Sequence, residues 1–176
     1  VTEIENLYGA RPKTEVDFRR LCDDKNIDVI SIATPDHWHA LHTIWACQAG
    51  KDVYVEKPVC HNISEGRKMV QAARKYDRIV QAGICYRSSK AVKAAVKFIA
   101  DGKMGKVYMG KGIVYAYRPS IERVPDSPIP EGVHWDTFLG PAPYRPFNEN
   151  RYIYNWHWFW DTGTTEFGNN GIYRMD

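Results

Sequence analysis

The stretch Asp28-Val-Ile-Ser-Ile-Ala33, followed at once by Thr34-Pro35-Asp36-His37-Trp38-His39, decides how this chain is read. A nearly continuous apolar run between polar flanks suits a strand buried on both faces of a sheet. Thr34-Pro35-Asp36 ends the run. His39 to Ala49 then carries a helical pattern, with Gly50 as its stop. Working outward, Val53-Tyr-Val-Glu56 reads as the next strand, closed by Lys57-Pro58, and Ile79-Val-Gln-Ala82 as a third. Ser64 to Tyr76 predicts a helix with Ser64 as its cap and Glu65 in its first turn. Upstream, Thr14 and Asp17 have the form of a capping box for a short helix to about Asp24. Downstream, Ala91 to Ala100 predicts a helix ending at Gly102. Strands beginning near 28, 53 and 79 with a helix between each pair are repeated βαβ units. They predict an α/β fold with a parallel sheet and right-handed crossovers.

The character changes after Gly105. Lys106 to Tyr117 alternates loosely, as in an antiparallel or mixed sheet. Seven of the ten prolines then lie between Pro119 and Pro146, and ten of the 23 aromatic residues between His134 and Trp160. Rings at that density need burial, so the stretch reads as a long ordered loop on a second domain beginning near 103.

Composition narrows the function classes. Of the 176 residues 44% are apolar and 26% charged, the balance of an ordinary globular protein. Lys and Arg exceed Asp and Glu by 24 − 21 = 3, a small and scattered excess that implies neither nucleic acid nor an anionic membrane. Cys22, Cys47, Cys60 and Cys85 are widely spaced with no CxxC pair, and read as reduced core thiols. Val1 is not a methionine and Asp176 stands inside a patterned segment, so a piece of a longer protein is expected. The cytoplasm is its default compartment, with export if a preceding segment carries a signal.

In an open parallel sheet, ligands bind beyond the carboxyl ends of the strands. That rule selects Thr34 to His39, Glu56-Lys57-Pro58 and Gly83-Ile-Cys-Tyr-Arg87. A lysine on a short rigid segment at a strand end, partly desolvated, suits proton transfer near neutrality; the plain alternative is a surface lysine in a surface turn. Among His37, His39 and His42 only the last two share a helical face, and no Cys or carboxylate completes a ligand set, so no metal is expected. His61 and His134 read as ordinary polar residues. Trp156-His-Trp-Phe-Trp160 reads as packing, with a sugar-facing ring as the alternative. Lys90, Lys93 and Lys97 form a solvated helix face.

Ala33-Thr-Pro-Asp-His-Trp-His39, then Ala49-Gly-Lys-Asp-Val53, then Glu56-Lys57-Pro58 resemble, in order and spacing, the Gfo/Idh/MocA oxidoreductases over about Gly9 to Gly110. Trp160 to Tyr173 resembles the same family more loosely. The resemblance implies two domains. The first, residues 1–102, is a Rossmann domain that lacks its phosphate loop, since no GxGxxG occurs in the sequence. The second, residues 103–176, is the start of an α+β open-sheet substrate domain. The implied function is oxidation of a secondary hydroxyl of a sugar or cyclitol, with hydride passed to NAD or NADP.

By the same likeness Ala33, Thr34, Pro35, His39, Glu56, Lys57 and Arg87 line the cofactor, with His39 as donor to a cofactor hydroxyl. Lys57, Tyr173 and Asn169 are the implied catalytic set. The family usually has Asp and His at the positions held here by Asn169 and Tyr173. Tyrosine occurs in the branch resembling glucose–fructose oxidoreductase, and there it can act as a phenol whose pKa Lys57 lowers. Asn169 can hydrogen-bond a hydroxyl but cannot take a proton. The implied alternatives are an NAD-dependent glycosidase of the same fold and a non-catalytic sugar-binding remnant. A bare strand edge at Asp28 to Ala33 invites self-pairing, so a homo-oligomer is expected.

Overall fold

The structure is a computed structural model that describes residues 2–115 and 117–176. Three strands, β1 (Val29–Ile32), β2 (Asp52–Glu56) and β3 (Val80–Gly83), form a sheet in the order β1-β2-β3. Both pairings are parallel, with Ile32 opposite Val55 and Glu56 opposite Gly83. The first two helices are α1 (Thr2–Tyr8) and α2 (Phe18–Asp23); α3 (Asp36–Gln48) and α4 (Ile63–Lys75) make the two crossovers.

Ile30, Ile32, Val53 and Val55 are buried with Ala40, Ala46 and Cys47 of α3 and Met69 and Ala72 of α4. Burying each large aliphatic side chain contributes about 1.5–3 kcal/mol. The opposite face of the sheet is bare: Val29 is 60% exposed, and Ser31, Tyr54 and Gln81 are exposed beside it. This corrects the expectation of a strand buried on both faces. Successive right-handed crossovers in one direction lay both helices on the same side.

The helix starts also differ from expectation. Asp17, not Thr14, caps α2 by accepting from the Arg19 N–H at 3.0 Å. Asn62, not Ser64, caps α4: its amide oxygen accepts from the Glu65 N–H at 3.0 Å. The Glu65 carboxylate in turn accepts from the His61 N–H at 3.1 Å, so the reciprocal box is closed one residue outside the cap.

Beyond β3 the packing thins. Helix α5 (Lys90–Ala100) is exposed along its whole length, so Val92, Val96, Phe98 and Ile99 meet solvent as the lysines do. The strand expected from Lys106 to Tyr117 does not form: residues 106–115 are irregular and exposed, and Ala116 lies outside the described residues. Among the described residues no second strand lies alongside to satisfy its backbone groups. Cys85 is exposed rather than a core thiol; Cys22 and Cys47 are buried.

The aromatic stretch does bury rings. Trp135 and Leu139 of α6 (Trp135–Leu139) pack with Phe147, Phe138 and Tyr152, and the Trp135 indole N–H donates to the Arg145 carbonyl at 2.8 Å. Trp160 stays 81% exposed. This second cluster meets the first through α3, where the Trp38 indole N–H lies 3.0 Å from the Thr137 carbonyl. Gly140 has φ of +46°, and a Cβ there would sit 1.9 Å from the Trp38 ring, so only glycine lets the indole lie flat against the chain. The chain closes with a π-helical turn, Phe167–Gly171, running into α7 (Ile172–Met175).

Candidate active site

The register brings the turn after β1 and the turn after β2 to the same edge of the sheet, as the carboxyl-end rule requires. Between them lies a cavity of about 190 Å³. Thr34, Glu56 and Lys57 line it from the strand ends, and Trp156, His157 and Asn169 from the second half of the chain. That is room for one ring rather than for a dinucleotide. A larger groove of about 830 Å³, lined by Phe18, Trp38, His42, Trp45 and Phe138, reaches Thr34 and Pro35 but neither Glu56 nor Lys57.

Lys57 follows β2 directly, and the Lys57–Pro58 peptide is cis. Its ammonium donates to the Asn169 amide oxygen at 2.7 Å and to the Asn169 carbonyl at 3.0 Å. The π-helical turn therefore delivers Asn169 to the strand end.

Tyr173 reaches the same place from α7. Its ring stacks on Tyr86 at 4.9 Å between centroids and lies 5.4 Å from the Lys57 Nζ. Its phenol is pushed up to about 12, by desolvation first and then by its hydrogen bond to the Cys85 thiol. This corrects the expectation that Lys57 lowers it: the ammonium sits over the ring, and the hydroxyl answers to Cys85.

His39 is also corrected. It is 1% exposed, and its ring nitrogens lie 2.7 Å from the Pro58 carbonyl and 2.7 Å from the Thr34 carbonyl. Both are taken up by the protein, so neither is left for a cofactor hydroxyl. His39 instead ties the Thr34 turn to the Lys57-Pro58 turn. Arg87 likewise turns away from the cavity: its guanidinium donates to Asp176 at 2.8 and 2.9 Å.

Two residues of the selected Thr34 to His39 segment to which the sequence assigned no role hold the halves together. The buried Asp36 carboxylate accepts from the Thr164 hydroxyl at 2.6 Å and from the Thr164 N–H at 3.1 Å. His37 lies 3.1 Å from the Thr162 carbonyl and 2.8 Å from that of Phe138. The signal was present in their place at a strand end, but their partners lie more than a hundred residues away.

Polar groups without partners mark the cavity. The Thr34 hydroxyl and the His157 Nε2 are buried and unpaired among the described residues. A cavity of this size with Thr34, Glu56 and Asn169 in its lining fits a hydroxyl-rich ring, the ribose end of a nicotinamide dinucleotide or a sugar. His157 and Trp156 also show that the Trp156 to Trp160 run divides its work between packing and lining the cavity.

Residues 2–84 match the NAD-binding Rossmann fold of an oxidoreductase family, and residues 88–176 match that family's C-terminal alpha/beta domain. The chain belongs to the Gfo/Idh/MocA oxidoreductases. It is 34% identical over 127 residues to levoglucosan dehydrogenase of Pseudarthrobacter phenanthrenivorans, covering 72% of this chain and 32% of that protein. It superposes on the crystal structure of myo-inositol 2-dehydrogenase from Lactobacillus plantarum with a TM-score of 0.54 at 29% identity, over 60% of this chain and 31% of that one. Levoglucosan dehydrogenase in complex with NADH and levoglucosan gives a TM-score of 0.52 at 34% identity, over 60% and 28%. The chain spans about a third of the length of the curated relatives it matches. The cavity thus brings Thr34, Glu56 and Lys57 of the Rossmann half together with Asn169 of the second, and Tyr173 lies against the Lys57 ammonium.

Proposed function

We propose that the full-length protein oxidises a secondary hydroxyl of a sugar or cyclitol, with hydride passed to NAD or NADP. The observation that carries this reading is the grip of Asn169 on the Lys57 ammonium across a ring-sized cavity at the carboxyl edge of the sheet. Family membership and the levoglucosan and inositol dehydrogenases among the relatives support it.

When bound, the nicotinamide supplies the hydride acceptor. Thr34 and Glu56, which line the cavity, would hold ribose hydroxyls, the first as acceptor or donor and the second as acceptor. An ammonium has three N–H donors, and Asn169 takes two of Lys57's. The third is available to the oxygen of the substrate hydroxyl, where a positive charge stabilises the negative charge that develops as the O–H bond weakens. Asn169 is neutral, so it fixes the direction of Lys57 without cancelling that field.

The test uses the full-length protein with NAD+ or NADP+ and, separately, levoglucosan and myo-inositol. Reduction of the nicotinamide with formation of the ketone is expected for a cyclic polyol. Tight cofactor binding with no reduction by any such polyol would overturn the proposal in favour of a sugar-binding role.

A further inference from the structure

We propose that Asp36 is a positioning residue for the reaction: through Thr164 and the π-helical turn it fixes the direction in which Asn169 holds the Lys57 ammonium. The inference rests on the polyol-oxidising reading above.

The residues just ahead of the π-helical turn are gripped one by one from the Rossmann half. His37 lies 3.1 Å from the Thr162 carbonyl, and His61 Nε2 lies 3.3 Å from the Gly163 carbonyl. The Asp36 carboxylate accepts from the Thr164 N–H at 3.1 Å and from the Thr164 hydroxyl at 2.6 Å. Asp36 and His37 are each 4% exposed and open α3, directly after the Thr34 turn. A carboxylate bonded in this way and shielded from water makes short, directional bonds.

From Thr164 the route to Lys57 is continuous. The Thr164 carbonyl accepts from the Gly168 N–H at 3.1 Å, which leads the chain into the turn. Gly168 is buried, and a Cβ there would overlap the Thr164 hydroxyl oxygen and meet the Pro58 Cγ at 3.4 Å. The turn therefore packs at one point against both the Thr164 side chain and the proline that follows Lys57. Asn169 is the next residue, and its side-chain oxygen and its carbonyl accept from the Lys57 Nζ at 2.7 and 3.0 Å. The other hold on the turn comes from outside. Arg118 pairs with Glu166 at 3.0 Å, but its side chain is 38% exposed, and water weakens such a pair. The buried Asp36–Thr164 contact is the one that sets the turn. Lys57 serves the reaction only while its remaining N–H points at the substrate oxygen, and a misplacement of about 1 Å costs about 10²-fold in rate.

The experiment uses the full-length protein with NAD+ or NADP+ and either levoglucosan or myo-inositol. It compares wild type with Asp36→Ala, Thr164→Val, Thr164→Ser, Arg118→Gln and Asn169→Ala, and with the double variants D36A/N169A and T164V/N169A. D36A and T164V are each expected to lower kcat by about 10²-fold, with the KM for the polyol and the NADH affinity changed only a few-fold. T164S keeps the hydroxyl and R118Q leaves the buried contact intact, so both are expected to stay close to wild type. In the N169A background neither D36A nor T164V is expected to lower kcat further, because the residue they act through is gone. A second readout is independent of turnover. Acetylation of Lys57 by acetic anhydride, followed by peptide mass mapping, is expected to quicken several-fold in T164V and not in T164S. Lys51, which is 5% exposed and donates to the Asp24 carbonyl at 2.7 Å, is expected to keep its wild-type rate. Undiminished kcat or unquickened Lys57 labelling in T164V would overturn the assignment. So would a further loss of kcat in D36A/N169A over N169A, the same loss in T164S or R118Q, or quickened labelling of Lys51 together with Lys57. If D36A does not fold, T164V and its double variant decide. If wild type reduces no cofactor with either polyol, the functional reading fails, and the labelling still decides the positioning.

Discussion

The Lys57 ammonium stands 2.7 Å from the side-chain oxygen of Asn169, a residue 112 positions further along the chain. The same ammonium meets the Asn169 backbone carbonyl at 3.0 Å, so a strand end in the first half and a π-helical turn in the second are joined through one side chain. A flexible four-carbon stem is thereby held in one direction.

Lys57→Ala in the full-length protein is expected to lower kcat with a polyol substrate by roughly 10²–10⁴-fold while cofactor affinity changes much less. Steady-state kinetics together with NADH binding check this. Unaltered turnover would remove Lys57 from the reaction.

His39→Leu leaves the Thr34 and Pro58 carbonyls without the imidazole that bridges them. An imidazole with a single N–H donates to one of the two, so one buried carbonyl loses its donor, at an expected cost of about 1–3 kcal/mol. Urea denaturation measures the loss, and a change below about 0.5 kcal/mol would show that water replaces the bridge freely.

Thr164→Val removes the hydroxyl donor that Asp36 accepts at 2.6 Å. Hydrogen bonds to charged groups contribute about 1.5–3 kcal/mol, so a loss of that size is expected. Hydrogen exchange across 161–171 should quicken while the β1–β3 sheet is unaffected. Equal quickening in both regions would mean that Asp36 does not act locally.

His42 gives stability a pH dependence. It is 6% exposed, its Nδ1 has no partner, and burial, aided by the nearby His39 and His37, lowers its pKa from 6.5 to about 4. Between those values the unfolded chain binds the proton and the folded chain does not, so stability falls as pH drops through this window. The full difference, about 3 kcal/mol, is reached near pH 4. Denaturation at a series of pH values should show the slope in wild type and its flattening in His42→Phe, which keeps a ring between Phe18 and Trp38.

We propose self-association of the 176-residue chain through its bare apolar surface, where Val29 is exposed on the sheet and Ile79 and Val96 lie beyond it. Light scattering is expected to show a mass that rises with concentration and falls back in Val29→Lys. A concentration-independent monomer would contradict this.

The layout of the first hundred residues was open to reading because it depends on short-range pattern. The apolar runs, the Gly and Pro stops and the strand period of about 25 residues place Thr34, Glu56 and Lys57 at one edge of a parallel sheet without reference to anything distant. The exact helix caps were less legible, since Thr14 and Asp17, or Ser64 and Asn62, compete on nearly equal local terms, and the winner depends on which residue the backbone leaves extended.

Other features of the site came only from chain segments meeting across long separations. Nothing near Asn169 in sequence says that its two oxygens meet Lys57, and nothing near His39 says that carbonyls of two different turns occupy its ring. Tyr173 lies beside Lys57, yet its phenol rises rather than falls, because burial and Cys85 act on the hydroxyl while the ammonium sits over the ring. Local pattern follows from backbone geometry that repeats every two or 3.6 residues, whereas the partner and the proton of a buried polar group are set by whatever the folded chain brings within about 3 Å of it.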